Sequence, residues 1–233
     1  MTKAINRRAF LTAAGLGLAS IGTTPARAAE HRPHYAMVFD QAKCVGCGDC
    51  LEACNSANHL PPGRSRLLME RQNQSRRVIG KEPCPVCGSL EACDCERKYI
   101  RVSCQQCENA PCITVCPTGA AHRDPKTGIV TMDPDRCVGC KYCIVACPYN
   151  VRFINEETKV ADNCDFCLHT RFAEGKDPAC VSSCRYDALV FGDVNDPASF
   201  ISRLLRVKDT VRIRPELGTA PSLRYIPIVR KEV

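Results

Sequence analysis

Two runs, CVGCGDCLEAC from position 44 and CVGCKYCIVACP from position 137, place four cysteines each at C-x2-C-x2-C-x3-C spacing. Two further sets follow the same economy: CQQCENAPCITVCP supplies Cys104, Cys107, Cys112 and Cys116, and CDFCLHTRFAEGKDPACVSSC supplies Cys164, Cys167, Cys180 and Cys184. The triplet spacing lets a curled loop offer three thiolates to three irons of one [4Fe–4S] cube. The fourth Cys, on a short helix leading away, turns to a neighbouring cube. Gly46, Gly48 and Gly139 permit the positive-φ backbone such a loop needs, and Pro117 and Pro148 fix φ as the chain leaves the fourth Cys.

Two other uses of cysteine are disfavoured by the pattern. Closely spaced triplets cannot readily pair among themselves, so a disulfide framework has no use for this density. Structural zinc takes ligands as two separated pairs rather than as a triplet with a trailing fourth. The composition agrees with a fold held by metal: 20 Cys, no Trp and 6% aromatic residues over 233 positions give a lean apolar core. Sets two and three are neighbours in sequence and form one ferredoxin-like unit, and sets one and four close around it as the other. The fold class expected is therefore α+β, two interlocked bacterial-type ferredoxin-like modules, each for two [4Fe–4S] clusters, with short strands and short helices.

Over nearly its whole length the chain resembles the four-cluster iron–sulfur subunits of periplasmic and membrane-bound respiratory reductases, the NrfC-type subunit of formate-dependent nitrite reduction in particular. The stretches that carry the likeness are YAMVFDQAKCVGCGDC, CQQCENAPCITVCPTGA, GIVTMDPDRCVGCKYCIVACPYNVRFIN, ADNCDFC and LGTAPSLRYIPI. Residue by residue, the resemblance implies that Cys44, Cys47, Cys50 and Cys184 hold a first cluster, and Cys54, Cys164, Cys167 and Cys180 a second. Cys104, Cys107, Cys112 and Cys147 would hold a third, and Cys116, Cys137, Cys140 and Cys143 a fourth. It implies an electron-transfer subunit without a substrate site of its own. The donor would be an integral membrane, quinol-oxidising partner of the NrfD type, and the acceptor a terminal reductase such as a multihaem cytochrome acting on nitrite or sulfite. The alternative is the electron-transfer subunit of a molybdopterin oxidoreductase of the tetrathionate, polysulfide or dimethyl sulfoxide type. One position departs from the pattern: Arg185 follows Cys184 where relatives commonly have Pro, and its charge and N–H are expected to raise the potential of the nearby cluster.

The N-terminal thirty residues read as an address. Arg7-Arg8, a weakly apolar stretch from Ala9 and Ala26-Arg27-Ala28 resemble a twin-arginine signal cleaved after Ala28. This predicts a periplasmic protein, exported folded, that meets a membrane only through its partner. Loss of Lys3, Arg7, Arg8 and Arg27 leaves 28 basic against 25 acidic residues, and four cluster sites of about −2 each would make the whole mildly acidic. No basic run interleaved with aromatics points to nucleic acid, and no dinucleotide fingerprint, phosphate loop or Ser/His/Asp group is present.

The expected organisation is a signal at 1–28, an outer module at 29–65 with 158–195, a cysteine-containing insertion at 66–99, an inner module at 100–157, and a C-terminal helix and wrapping tail at 196–233. GIVTMD at 128–133 is predicted as a strand, PASFISRLLR at 197–206 as a helix, and the tail after Arg214-Pro215 as extended chain. The basic stretch GRSRLLMERQNQSRRVIG is read as a solvated face, and the histidines, His31, His34, His122 and His169 among them, as structural or surface residues. Within the insertion, Cys84, Cys87, Cys93 and Cys95 are a remainder of four. A structural zinc or single iron leads there, with disulfides formed after export, unligated thiols and a fifth cluster as alternatives. A competing class, a secreted interaction module held by disulfides and zinc, predicts a colourless protein.

Overall fold

Regular structure is short because the cysteine loops interrupt every apolar run. The computed structural model describes residues 31–72 and 98–228; the expected signal and Cys84, Cys87, Cys93 and Cys95 lie outside them. In chain order the elements are β1 (Tyr35–Asp40), α1 (Asp49–Ala57), β2 (Leu67–Gln72), β3 (Lys98–Ser103), α2 (Pro111–Thr114), β4 (Ala121–Arg123), β5 (Val130–Met132), α3 (Tyr142–Val145), β6 (Phe153–Ile154), β7 (Ala161–Asp162), α4 (Ala179–Ser182), β8 (Leu189–Asp193), α5 (Phe200–Val207) and β9 (Leu223–Ile226).

The strand β1 is buried from Ala36 to Phe39, as suits a strand covered on both faces. Its alternation divides two environments. Met37 and Phe39 face a core that contains Cys54, Cys104, Cys164 and Cys180, whereas Ala36 and Val38 pack under Ile201 of α5. Burying each of these larger side chains stabilises the fold by roughly 1.5–3 kcal/mol. Both edges of β1 are paired, antiparallel to β8 with Tyr35 opposite Asp193 and parallel to β9 with Met37 opposite Leu223. The tail that was expected as extended chain thus supplies a strand of the central sheet. That outcome depends on a partner nearly the full chain away, which local patterning cannot specify.

The helix over PASFISRLLR begins later than expected, at Phe200, because Ser199 caps it: its Oγ accepts from Ser202 N–H at 3.1 Å. The ends of the 66–99 segment are also ordered, as β2 and β3 pair antiparallel from Leu67 opposite Ser103. Leu67 is buried and Arg66 is engaged by two aspartates, so this end of the basic stretch is not the solvated face it was read as.

GIVTMD does form β5, in a hairpin with β4. Its turn is built by Asp124, whose Oδ1 accepts from Lys126 N–H, Thr127 N–H and Thr127 Oγ1–H at 3.1, 2.7 and 2.7 Å, with Gly128 at φ +71°. The same device recurs in the β6–β7 hairpin, where Asn155 Oδ1 accepts from Glu157 and Thr158 N–H and Lys159 takes the positive φ. Cys112 and Cys116 before one hairpin correspond to Cys143 and Cys147 before the other, an internal repeat. Among the described residues no helix is long and apolar enough to cross a membrane.

Candidate metal centres

Helix geometry aims the cysteines. In α1, Cys50 and Cys54 are four apart and share a face. In α2, α3 and α4 the second residue of a single turn is a cysteine, Cys112, Cys143 and Cys180, and each of the three is buried. The loops before them need glycine where expected. Gly46 has φ +73°, and a Cβ there would lie 2.3 Å from the ring of Tyr99; Gly139 has φ +67° with Lys159 O 3.0 Å from the same point.

Thiols from different sets come within electrostatic reach of each other. Cys44 and Cys50 lie beside Cys47 and Cys184. Cys54 is surrounded by Cys164, Cys180 and Cys167. Cys104, Cys107, Cys112 and Cys147 line one cavity, with Val130, Tyr149 and Arg152 in its wall. Cys143 lies beside Cys137; Cys140 is exposed on the loop before α3, and Cys116 sits just past α2. Electrostatic reach also links Cys50 with Cys180, Cys104 with Cys164, and Cys112 with Cys143.

None of the sixteen described cysteines is in a disulfide. Among the described residues no three of His, Cys, Asp and Glu converge on one point as a single-ion site requires. A lone zinc, at about 2.3 Å from each sulfur, would draw its ligands much closer together than thiols arrayed around a cavity.

Hydrogen-bond donors face the sulfurs. Ala121, Ala161 and Ala188 N–H donate to Cys116, Cys137 and Cys184 Sγ at 3.3, 3.5 and 3.3 Å, and Asn58 Nδ2 reaches Cys54 and Cys167 Sγ at 3.7 and 3.6 Å. Although burial acts upward on Cys116, the donors from Ala121 and Thr118 bring its thiol below the ordinary value. Deeper thiols go the other way: burial pushes Cys107 up to about 11 and Cys180 up to about 12, and raises Cys54 and Cys104 as well. Such thiols keep their protons at neutral pH unless a metal displaces them.

The charges around the thiols are more telling. Arg101 is 0% exposed and Arg152 5% exposed, and among the described residues neither forms an ion pair with a carboxylate. Arg101 Nη1 donates to Ser103 Oγ, its Nη2 lies 3.9 Å from both Cys164 and Cys180 Sγ, and its Nε has no acceptor. The two Nη groups of Arg152 have no oxygen acceptor; the thiols of Cys112, Cys104 and Cys143 are what surround them. An uncompensated buried cation costs several kcal/mol. Thiolates of an anionic iron–sulfur cluster supply the missing negative charge, so cavity, donor set and orphaned cations all fit such a group.

Sequence reasoning missed Arg66, Asn58, Arg101 and Arg152. Arg66 lies 2.9 Å from Asp162 and from Asp165 Oδ1 and donates to Asn58 Oδ1 at 2.7 Å, and so orients the amide that reaches Cys54 and Cys167. Arg185 is largely exposed and its guanidinium pairs with Asp49 at 2.8 Å, so its charge is offset and screened rather than directed at the cluster site. The described histidines behave as expected: His34 meets Ser222, His122 meets Ala120 O, and His169 meets Thr131.

Comparison with known proteins agrees with this chemistry. Residues 95–194 match the family model of a 4Fe-4S dicluster domain. The chain is 46% identical to Protein NrfC of Escherichia coli (strain K12) over 232 residues, 98% of each protein. It is 44% identical to the B subunit of polysulfide reductase from Wolinella succinogenes, covering 83% of this chain and 94% of the relative. With the thiosulfate reductase electron transfer subunit PhsB of Salmonella typhi the identity is 43%, over 85% and 93% respectively. A buried thiol array with cationic counter-charges, on a chain so similar along its length to these subunits, belongs to the NrfC family of ferredoxin-type iron–sulfur electron-transfer subunits.

Proposed function

We propose that this chain carries four [4Fe–4S] clusters, on the ligand quartets Cys44/Cys47/Cys50/Cys184, Cys54/Cys164/Cys167/Cys180, Cys104/Cys107/Cys112/Cys147 and Cys116/Cys137/Cys140/Cys143. They would form two interlocked ferredoxin-like modules and relay single electrons between two partners. The observation that carries this reading is the order in which thiols of neighbouring quartets come within electrostatic reach, together with the cavity that Cys104, Cys107, Cys112 and Cys147 line. Cys50 with Cys180, Cys104 with Cys164, and Cys112 with Cys143 join the four into one row. Each bound cluster accepts and returns one electron, and the protein's part is to hold neighbours close, dry and in order.

The two ends of the row are open to solvent. Cys47 and Cys140 are the exposed cysteines among the described residues, one in each terminal quartet. Exposed apolar residues flank them: Val45 and Tyr186 at one end, and Val138, Tyr142 and Val145 at the other. Such faces suit electron exchange with docked partners. The donor is a quinol oxidised by an NrfD-type integral membrane subunit. The acceptor is a terminal reductase, a multihaem cytochrome reducing nitrite or sulfite. The likeness to the polysulfide and thiosulfate reductase subunits favours a second reading, in which the acceptor is a molybdopterin oxidoreductase. Export by the twin-arginine route to the periplasm, with the membrane met only through the partner, completes the proposal, and Cys84, Cys87, Cys93 and Cys95 would hold a structural zinc or iron.

Anaerobic purification with iron and sulfide analysis tests the core of this. The expected result is a brown protein with about sixteen irons per chain and four one-electron couples by EPR-monitored titration. A colourless, folded protein with cysteine disulfides would overturn it. Reduction of the protein by a quinol only in the presence of the membrane subunit, followed by oxidation with either a multihaem cytochrome or a molybdopterin enzyme, separates the two acceptors.

A further inference from the structure

Buried guanidinium groups stand at two of the three gaps in the row. Arg101 faces Cys50 of the first quartet and Cys54, Cys164 and Cys180 of the second. Arg152 faces Cys104 and Cys112 of the third quartet and Cys143 of the fourth. The central gap, where Cys104 approaches Cys164, has Arg152 on the Cys104 side and Arg101 on the Cys164 side, with neutral amides beside it. Gln106 Nε2 donates to Cys164 O and Val130 O at 2.7 and 3.0 Å, and Asn163 Nδ2 donates to the same two carbonyls at 2.9 and 3.2 Å.

Resting on the four-cluster reading above, we propose that Arg101 and Arg152 are potential-setting residues, each raising the midpoints of the two clusters it stands between and lowering the cost of holding an electron on both. Reduction adds a negative charge to a cluster, and a second electron next door meets that charge across a poorly screened interior. A fixed cation between the two stabilises either reduced form, and stabilises the doubly reduced pair more. An Arg cannot be neutralised by losing its proton, so the bias persists at every working pH. The pairs flanking Arg101 and Arg152 become two electron stores along the row. The guanidinium atoms without acceptors on Arg101 and Arg152 are the physical sign that these charges are aimed at something absent from the polypeptide itself.

The test compares wild type, Arg101→Gln, Arg152→Gln and Arg152→Lys by EPR-monitored redox titration, with iron counted per chain. Arg152→Gln should lower the reduced-to-oxidised ratio at fixed potential by at least about tenfold, 59 mV for a one-electron couple, in two of the four clusters. Arg101→Gln should do the same to the other two. Unchanged midpoints in variants with full iron, or an equal shift in all four clusters, would overturn the proposal. If Arg152→Gln fails to retain its clusters, Arg152→Lys decides. Full iron with midpoints near wild type supports a role for the charge; lost clusters or lowered midpoints in that variant show that the shape of the guanidinium matters instead, and overturn it. A wild-type protein without four clusters would sink the four-cluster reading itself, a failure visible before any variant is made.

Discussion

The proposed inner and terminal cysteine quartets lie in opposite environments. All four thiols of the second quartet, Cys54, Cys164, Cys167 and Cys180, are buried, and Cys54, Cys164 and Cys180 belong to the core that lies against β1. In the first quartet Cys44, Cys50 and Cys184 are half-buried and Cys47 is exposed, and in the fourth only Cys143 is buried. Local spacing creates each ligand set, while position in the row decides its dielectric and its access to water. An iron–sulfur relay needs both: a dry middle that holds electrons and wet ends that exchange them.

The largest break in this contrast should come from substituting ligands at the two depths. Cys164→Ser should remove a whole cluster and expose the buried Arg101 to an uncompensated interior, with a loss of stability of about 3–5 kcal/mol. Cys140→Ser should leave the fold near wild type and affect only the terminal cluster. Iron analysis with thermal unfolding reads both; equal destabilisation by the two would erase the distinction. Next in size, Arg66→Ala leaves Asp162 and Asp165 without their cation beside the second quartet and should cost about 3 kcal/mol. Denaturant unfolding measures it, and a cost below about 1 kcal/mol would mean the network in the dry middle of the row is not structural.

Mild oxidation should sharpen the same comparison without mutation. On titration with ferricyanide, the EPR signals lost first should belong to the clusters that Cys47→Ser and Cys140→Ser alter, and loss of an inner cluster first would contradict the depth assignment. At high pH the inner core should show itself through Tyr225. Its hydroxyl donates to Arg101 O at 2.9 Å, and burial pushes its pKa up to about 12 from the ordinary 10.0. The unfolded chain therefore releases this proton first, and the stability it contributes is intact below pH 10 and lost progressively as pH rises towards 12. Tyr225→Phe should flatten that part of the stability curve. The smallest effect belongs to the terminal half: Asp124→Ala removes the acceptor of the β4–β5 turn and should cost about 1 kcal/mol in thermal unfolding, with all midpoints retained.

Cysteine spacing made the candidate ligands legible because each motif is local: a few residues of loop and one helical turn determine where three sulfurs go. The strand at Val130–Met132 was legible for the same reason, its turn being written in Asp124, Thr127 and Gly128. Arg101 and Arg152 were not. In YIRVS and VRFI they look like ordinary strand arginines, and only tertiary packing turns them towards thiols from distant loops. A cation between apolar neighbours in a strand, YIRV above all, was the signal available. The third strand of the main sheet was illegible too, since SLRYI gains its role from parallel register with β1.

That register has a consequence for how the protein is made. The first strand to leave the ribosome, β1, is the middle of its sheet, yet both its neighbours, β8 and β9, arrive at the far end of synthesis. Sequences such as these, dominated by distant pairings, close slowly. The stretch from Cys104 to Cys147 has its own hairpin and two packed helical turns, yet it too is tied to the tail: Ser222 and Leu223 N–H donate to Gln105 O at 3.0 and 3.2 Å, and Gln105 Nε2 donates to the Tyr225 hydroxyl at 3.2 Å. A protein cut short before β9 would hold every one of these cysteines and lack the strand that ties β1 and Gln105 together, so the last strand doubles as the mark of a finished copy.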